Sequence, residues 1–217
     1  MQATDFEYRH QRLIHQFIVA AAFLTYVFQR DDIVWQFVKD ATAPHELERA
    51  LFLIATLWIA AGATITTFAR AFGNPPRTAD DEPYRYLRES RYLGDLVYAV
   101  GLASLVPLSG FLILVIGEAI RIFRLMQRED AAAGYLSRRP SCIVCLLADA
   151  RRSERRPAWG DAFRHEAVKW GLLITMIVFV ITLKDRLAEI LAATSFLAGL
   201  LLNTRIFHNA SSAAHSS

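Results

Sequence analysis

Cysteine is scarce in this chain, which contains only Cys142 and Cys145 among its 217 residues. These two form a single Cys-x-x-Cys pair, whereas a structural zinc site takes four ligands. Small proteins that depend on disulfides are short chains rich in cysteine. Two cysteines in 217 residues exclude that class here. The sequence therefore predicts no metal site and no disulfide framework. The two thiols are expected to stay reduced in a cytoplasmic loop.

Charged residues are also few, at 21% of the chain, where ordinary soluble domains carry about 25%. The deficit is concentrated in blocks, and residues 50–68 contain no Asp, Glu, Lys or Arg at all. About 20 apolar residues cross the hydrocarbon core of a bilayer. Several such blocks in one short chain indicate an integral membrane protein. A cleavable signal peptide is not expected, because the first dozen residues are rich in charge.

Six apolar segments are predicted to be transmembrane helices of an all-α, polytopic helical bundle. They span residues 13–28, 50–72, 93–106, 111–126, 168–183 and 187–202. The last four form two helical hairpins, of which the second either spans the membrane or is re-entrant. We expect one membrane-embedded domain over residues 1–208 and a disordered tail over residues 209–217.

Basic residues are concentrated in two of the predicted loops, residues 73–92 and residues 127–166. Loops rich in Lys and Arg stay in the cytoplasm, and the acidic loop 29–49 then lies outside. Both termini are therefore predicted to be cytoplasmic, in a bacterial inner membrane. The arginine pairs of loop 127–166 act as this topology signal or bind anionic lipid headgroups. The bilayer is thus the expected partner, no nucleic-acid partner is predicted, and the oligomeric state is left open.

Residues 82–130 carry the most informative pattern. Aromatic and basic side chains alternate at the start of this stretch: Tyr84, Arg85, Tyr86, Arg88, Arg91 and Tyr92. One interpretation is a membrane-surface belt, with aromatic rings at headgroup depth. The other is a pocket wall for a charged, planar ligand, because arginine binds carboxylate or phosphate and tyrosine offers an aromatic face. The apolar hairpin that follows should return the chain to the same end of the bundle.

The third and fourth predicted spans add candidate binding residues. Gly94, Tyr98 and Gly101 share one helix face, where small residues allow a helix or a ligand to approach closely. Glu118 lies inside the fourth span, where a charge is costly and is usually paired. Arg121, three residues later, is its natural partner. Tyr98, Glu118 and Arg121 are therefore candidate substrate-binding residues, with a purely structural ion pair as the alternative.

The order of motifs in residues 83–130 resembles a known family. The chain reads Pro83-Tyr84-Arg85-Tyr86-Leu87-Arg88, then Tyr92-Leu93-Gly94, then an apolar hairpin with a proline turn, then Arg128-Glu129-Asp130. This core resembles the isoprenylcysteine carboxyl methyltransferase family and related bacterial phospholipid methyltransferases. Their pattern is Pro-Tyr-Arg-Tyr-hydrophobic-Arg-His-Pro-x-Tyr-x-Gly, a hairpin, and Arg-x-x-Glu-Glu. Glu89-Ser90 stands here in place of His-Pro, and Asp130 in place of the second glutamate.

The resemblance implies a membrane methyltransferase that uses S-adenosylmethionine on the cytosolic side. A lipophilic methyl acceptor, isoprenylcysteine-like or phospholipid-like, would enter from the bilayer. The cofactor-binding residues implied by the resemblance are Tyr84, Arg88, Glu89, Tyr92, Gly94, Arg128, Glu129 and Asp130. Glu89 is also the candidate catalytic carboxylate, since a carboxylate near the sulfonium favours it or takes a proton.

Two other functions fit the same sequence. Sterol and steroid reductases have a similar C-terminal core and use NADPH, in which case the arginines near Tyr84 would hold phosphates. A degenerate family member that binds a lipid or a partner protein is the third possibility, and the replacement of His-Pro by Glu89-Ser90 favours it. Binding of S-adenosylmethionine, of NADPH or of neither distinguishes the three.

Overall fold

The computed structural model describes residues 3–29, 31, 33–39, 41–72, 90–132, 157–182, 190–195 and 197–198. Over these ranges the chain is helical, with no strand, which confirms the all-α prediction. The helices are α1 Asp5–Arg9, α2 Gln11–Leu24, α3 Ile33–Val38, α4 Pro44–Phe72, α5 Ser90–Ala103, α6 Leu108–Ala132, α7 Trp159–His165 and α8 Ala167–Thr182. A 3₁₀ turn, Thr25–Val27, extends α2, and residues 190–195 and 197–198 are also helical.

Helices α4 and α5 form the most extensive helix pair, and glycine allows their backbones to approach closely. A Cβ atom added at Gly62 of α4 would lie 2.4 Å from the backbone nitrogen of Tyr98. One added at Gly94 would lie 2.8 Å from the Thr66 nitrogen, and one at Gly101 would lie 2.8 Å from the Ile59 nitrogen. The face of α5 that carries Gly94 and Gly101 is thus a helix-packing face.

The helices pack so that five of their ends meet at one end of the bundle, which we call the site end. The Ala3 nitrogen donates to the Arg124 carbonyl at 3.2 Å, and the Ala158 nitrogen donates to the Ala71 carbonyl at 2.8 Å. Arg91, in the first turn of α5, donates to Gln11 of α2. The site end therefore gathers the starts of α2, α5 and α8 and the ends of α4 and α6.

A capping box begins the first helix at the site end. The Glu7 nitrogen donates to the Thr4 hydroxyl at 3.2 Å, and the Thr4 nitrogen donates to the Glu7 carboxylate at 2.7 Å. Arg124 of α6 binds the same carboxylate at 2.9 Å. These contacts satisfy donors that a helix start leaves free, and they fasten α1 to α6.

The charge of Glu7 is expected to make this attachment sensitive to acid. The backbone N–H of Thr4, and after it the Arg124 guanidinium, hold the pKa of Glu7 below its ordinary value of 4.5. The ionised carboxylate therefore stabilises the folded state above pH 4.5, and this contribution is lost as the pH falls through the lowered pKa. Melting temperatures of wild type and Glu7→Gln should differ above pH 4.5 and converge in stronger acid. A constant difference would contradict this.

The described residues contain one helix, α4, that is long and apolar enough to cross a membrane. The pair α7 and α8, bent by 70°, makes a second only if it counts as one span, and residues 13–27 form a shorter apolar helix. Helix α5 has only 14 residues, and α6 carries charges such as Glu118 and Arg121 along its 25 residues. Membrane association is therefore weakly indicated, while the predicted number of spans belongs to the functional proposal below.

Candidate functional site: a buried ion-pair network

The network begins at Glu118, which lies in the middle of α6 and has a fully buried side chain. Its carboxylate accepts a hydrogen bond from Nε of Arg121, one turn later, at 2.8 Å. Its other oxygen lies 2.7 Å from Nδ1 of His15 on α2. The predicted pairing of Glu118 with Arg121 is thus observed, and a histidine from another helix completes it.

Arg121 extends the network to α5 and α8. One of its terminal nitrogens donates to Oδ2 of Asp95 at 3.1 Å, and Nζ of Lys169 donates to Oδ1 of the same carboxylate at 2.5 Å. Asp95, Arg121 and Lys169 are all buried. Both oxygens of Asp95 are therefore neutralised by a cation.

The network ends where α7 gives way to α8. Lys169 also lies 2.9 Å from Glu166, the buried residue between these two helices. Glu166 in turn accepts a hydrogen bond from Arg70 near the end of α4. Because a buried charge is tolerated when it is paired and hydrogen-bonded, each of the three carboxylates can stay ionised within the bundle.

A cavity of about 70 Å³ lies against this network at the site end. Space for one water needs roughly 10–15 Å³ on this measure, so the cavity holds about five water-sized atoms. The polar side chains around it come from α2, α4, α5, α6 and the α7–α8 junction. They are Gln11, His15, Gln16, Arg70, Arg91, Asp95, Tyr98, Arg121, His165, Glu166 and Lys169.

Tyr98 is the aromatic residue of this cavity. Its side chain is 1% exposed, and its hydroxyl has no hydrogen-bond partner among the described residues. Nζ of Lys169 lies 5.2 Å from the ring centroid, within reach of a cation–π contact. The ring is therefore fixed by its surroundings, while its buried hydroxyl has no hydrogen-bond partner in the part of the chain that the structure describes.

Arg91 borders the same cavity from the first turn of α5. One terminal nitrogen donates to Oε1 of Gln11 at 2.9 Å. Its Nε is buried and has no hydrogen-bond partner in the described part of the chain. Arg91 thus brings to the cavity a positive charge that forms no ion pair with a carboxylate of the network.

The predicted site residues fall into two groups. The three candidate substrate-binding residues come together: Tyr98 and Arg121 line the cavity, and Glu118 binds Arg121 directly. Of the predicted cofactor-binding residues, Tyr84, Arg88 and Glu89 lie outside the described residues, as do the side chains of Glu129 and Asp130.

The other predicted cofactor-binding residues do not line the cavity. Tyr92 is buried in a cluster with Leu125 and Met126 of α6. Gly94 packs on α4, and the guanidinium of Arg128 lies 4.8 Å from the ring centroid of Tyr8. These three residues hold helices together at the site end, next to the cavity but not in it.

Sequence reasoning missed five members of the network: His15, Arg70, Asp95, Glu166 and Lys169. A usable signal was present, because His15, Asp95 and Lys169 are ionisable residues at the edges of apolar runs, where each needs a partner. Their partners lie far along the chain, 103 residues away for His15 and Glu118. No three His, Cys, Asp or Glu side chains converge to hold a metal ion among the residues described.

Comparison with known proteins assigns the chain to no family. No protein-family model matches it, and neither a curated protein nor a solved structure does. The functional proposal therefore rests on the resemblance of residues 83–130 and on the geometry of the site end.

Proposed function

We propose that this protein is an integral membrane methyltransferase that transfers a methyl group from S-adenosylmethionine to a lipophilic acceptor. One observation carries the proposal. The start of α5, where the first part of the motif ends, and the end of α6, which carries Arg128, lie side by side, since Tyr92 packs on Leu125 and Met126. The described ends of the two parts of the motif, at Tyr92 and Arg128, thus lie at the end of the bundle that holds the buried polar cavity.

The distribution of side chains supports insertion in a bilayer. Charged residues are buried inside the bundle, while large apolar side chains face outward from four helices. These include Phe17 and Leu24 of α2, Leu53 and Leu57 of α4, Leu112, Ile116, Ile120 and Phe123 of α6, and Ile174 and Ile181 of α8. Soluble monomers rarely expose apolar patches this extensive. A surrounding of lipid hydrocarbon accounts for the arrangement, and it supports the six-span, polytopic interpretation.

The orientation proposed for the bundle follows from its arginines. Arg70, Arg91, Arg124, Arg128 and Arg164 belong to the site end, whereas the described acidic residues of loop 29–49, which are Asp31, Glu46 and Glu48, lie at the opposite end. Lys and Arg favour the cytoplasmic side. We therefore place the site end and both termini in the cytoplasm of a bacterial cell, where S-adenosylmethionine is available.

The size of the cavity indicates that the cofactor and the acceptor are bound by different residues. The described cavity has room for about five water-sized atoms, and a whole S-adenosylmethionine contains several times as many non-hydrogen atoms, so the described cavity does not hold it. We assign the cofactor to the motif residues Tyr84, Arg88, Glu89, Glu129 and Asp130. When bound, the cofactor supplies an activated methyl group on a sulfonium.

The described residues would then act on the acceptor. Tyr98, Glu118 and Arg121 are assigned to its polar end, and the surrounding apolar helices exclude water. Methyl transfer needs little acid–base chemistry, so holding the acceptor in line and keeping the site dry are the main requirements.

Purified protein tests the proposal. It should remain in the membrane fraction after an alkaline carbonate wash and, in detergent, should bind S-adenosylmethionine in a calorimetric titration.

Arg88→Gln is expected to lower the affinity for S-adenosylmethionine by about tenfold, because one charge-assisted contact is lost. Arg77→Gln, in the same predicted loop but outside the motif, is the matched control. Glu89→His with Ser90→Pro, which restores the family pattern, should raise the affinity.

The alternatives predict different titrations. Binding of NADPH in place of S-adenosylmethionine would identify a reductase. Binding of neither would support the degenerate lipid- or partner-binding protein and remove the methyltransferase proposal. Equal affinities for Arg88→Gln and Arg77→Gln would overturn the assignment of Arg88.

A further inference from the structure

The charges around the cavity do not balance. Among the described residues of the network and the cavity, four cations (Arg70, Arg91, Arg121 and Lys169) face three carboxylates (Asp95, Glu118 and Glu166). The carboxylates are shared among Arg70, Arg121, Lys169 and His15. Arg91 is left with the neutral amide of Gln11, so the described residues of the network and the cavity carry a formal excess of one positive charge.

Hydrogen-bond donors around the cavity are also in excess over acceptors among the described residues. Nε of Arg91 and the hydroxyl of Tyr98 are both buried and have no partner among the described residues. An arginine nitrogen can only donate, and a tyrosine hydroxyl readily does so. Buried polar groups are almost always hydrogen-bonded. The cavity therefore contains at least two donors for which the described part of the chain supplies no acceptor.

The residues that carry the two donors line one cavity. Arg91 and Tyr98 are seven residues apart on α5, which places them two turns apart on one helix face, and both line the same cavity. Asp95 lies between them, but its two oxygens already accept from Arg121 and Lys169 at 3.1 and 2.5 Å. The two cations therefore offset much of the repulsion that Asp95 would exert on an anion placed between the donors.

We propose that this cavity binds a single oxyanion group, a phosphate or a carboxylate, which Arg91 and the Tyr98 hydroxyl hold directly. The cavity has room for about five water-sized atoms, which fits one phosphate or carboxylate group and not a whole nucleoside. The group belongs either to a free ion from the cytoplasm or to the headgroup of an anionic lipid. The inference does not depend on methyl transfer and holds equally for a protein that transfers no methyl group.

Binding to the purified full-length protein tests the inference with S-adenosylmethionine absent. In one arm, inorganic phosphate is titrated into protein in neutral detergent. In the other, the protein is reconstituted in nanodiscs of phosphatidylcholine with and without phosphatidate. A rise in melting temperature in the first arm identifies a free ion as the source, and a rise confined to phosphatidate nanodiscs identifies a lipid headgroup.

Tyr98→Phe gives the sharpest variant, because it removes only a hydroxyl that has no partner in the described chain. It should keep the melting temperature of the ligand-free protein and weaken oxyanion binding by about tenfold. Arg91→Gln should weaken binding at least as much, and Arg91→Lys should retain part of it because the charge stays. Arg164→Gln, an exposed arginine of α7, is the matched control and should bind normally.

Two results would overturn the inference. One is the absence of stabilisation by both phosphate and phosphatidate in the wild type. The other is binding that survives unchanged in Tyr98→Phe and Arg91→Gln, which would place the anion elsewhere. Loss of S-adenosylmethionine binding alone would count against the methyltransferase proposal and would leave this one intact.

Discussion

Arg121→Met is expected to destabilise the bundle by about 3–5 kcal/mol, the usual cost of removing one partner from a buried ion pair. Arg121 binds Glu118 at 2.6–2.8 Å and Asp95 at 3.1 Å. Without it, Glu118 keeps only His15, and Asp95 keeps only Lys169. Methionine fills a similar volume, so lost packing contributes little to the effect. The change should appear as a large fall in melting temperature in detergent.

A second substitution shows whether the loss of stability in Arg121→Met comes from the lost ion pairs or from changed side-chain packing. Glu118→Gln in the Arg121→Met background removes one of the two stranded charges and should recover part of the stability. Arg164→Met, at an exposed arginine of α7 that pairs weakly with Asp161 at 3.9 Å, should be close to neutral. If Arg121→Met and Arg164→Met melted alike, the ion pairs of Arg121 would contribute no stability.

Gly62→Val is expected to force α4 and α5 apart. A Cβ at this position would lie 2.4–2.6 Å from the backbone and Cβ atoms of Tyr98. Backbone atoms cannot rotate away, so the helices must separate. Overpacking of a core costs about 1–3 kcal/mol, and the upper part of that range is expected because this helix pair is the most extensive in the bundle. Tyr98 would also shift, so binding at the cavity should fall together with stability.

Gly160→Ala is the matched control for the glycine substitution. Gly160 lies in α7, and a Cβ there meets nothing within 4 Å. Alanine should therefore be neutral or slightly stabilising, since it favours a helix over glycine by about 0.5–1 kcal/mol. Melting temperatures of the two variants in the same detergent make the comparison. If Gly62→Val had the same melting temperature as Gly160→Ala, α4 and α5 would not approach as closely as described.

Much of the local structure followed from the sequence alone. The segments predicted at 93–106, 111–126 and 168–183 correspond to α5, α6 and α8, with ends shifted by a few residues. Apolar runs and the proline at 107 mark these helices locally. The pairing of Glu118 with Arg121 was also predictable, because side chains three residues apart on a helix are neighbours.

The cavity could not be predicted in the same way. Three of its ion pairs join residues 74 to 103 positions apart, namely Asp95 with Lys169, Arg70 with Glu166 and His15 with Glu118. Which helix faces meet depends on packing through Gly62, Gly94 and Gly101, and a single sequence does not specify that register. Gly94 illustrates the difficulty, since a small residue serves a cofactor site and a helix contact equally well.

The number of spans was hard to predict for a related reason. Hydropathy treats each charge as a penalty, although a charge that is paired inside a bundle costs less than an isolated one. Helix α6 carries several such charges and still has an apolar outer face from Leu112 to Phe123. The composition of a helix therefore understates how well its outer face suits lipid.

The ion-pair network also constrains how such a bundle is made. His15, Asp95, Glu118 with Arg121, and Lys169 belong to four different helices, and they neutralise one another only after these helices have met. A charge opposes the insertion of a lone helix by about 2.5–3.5 kcal/mol at the helix centre and by less near a helix end, where Asp95 and Lys169 lie. In a bilayer, α5 and α8 would therefore enter most readily alongside their partners. Biogenesis would then be cooperative, with the late helix α8 supplying the Lys169 cation that completes the neutralisation of Asp95.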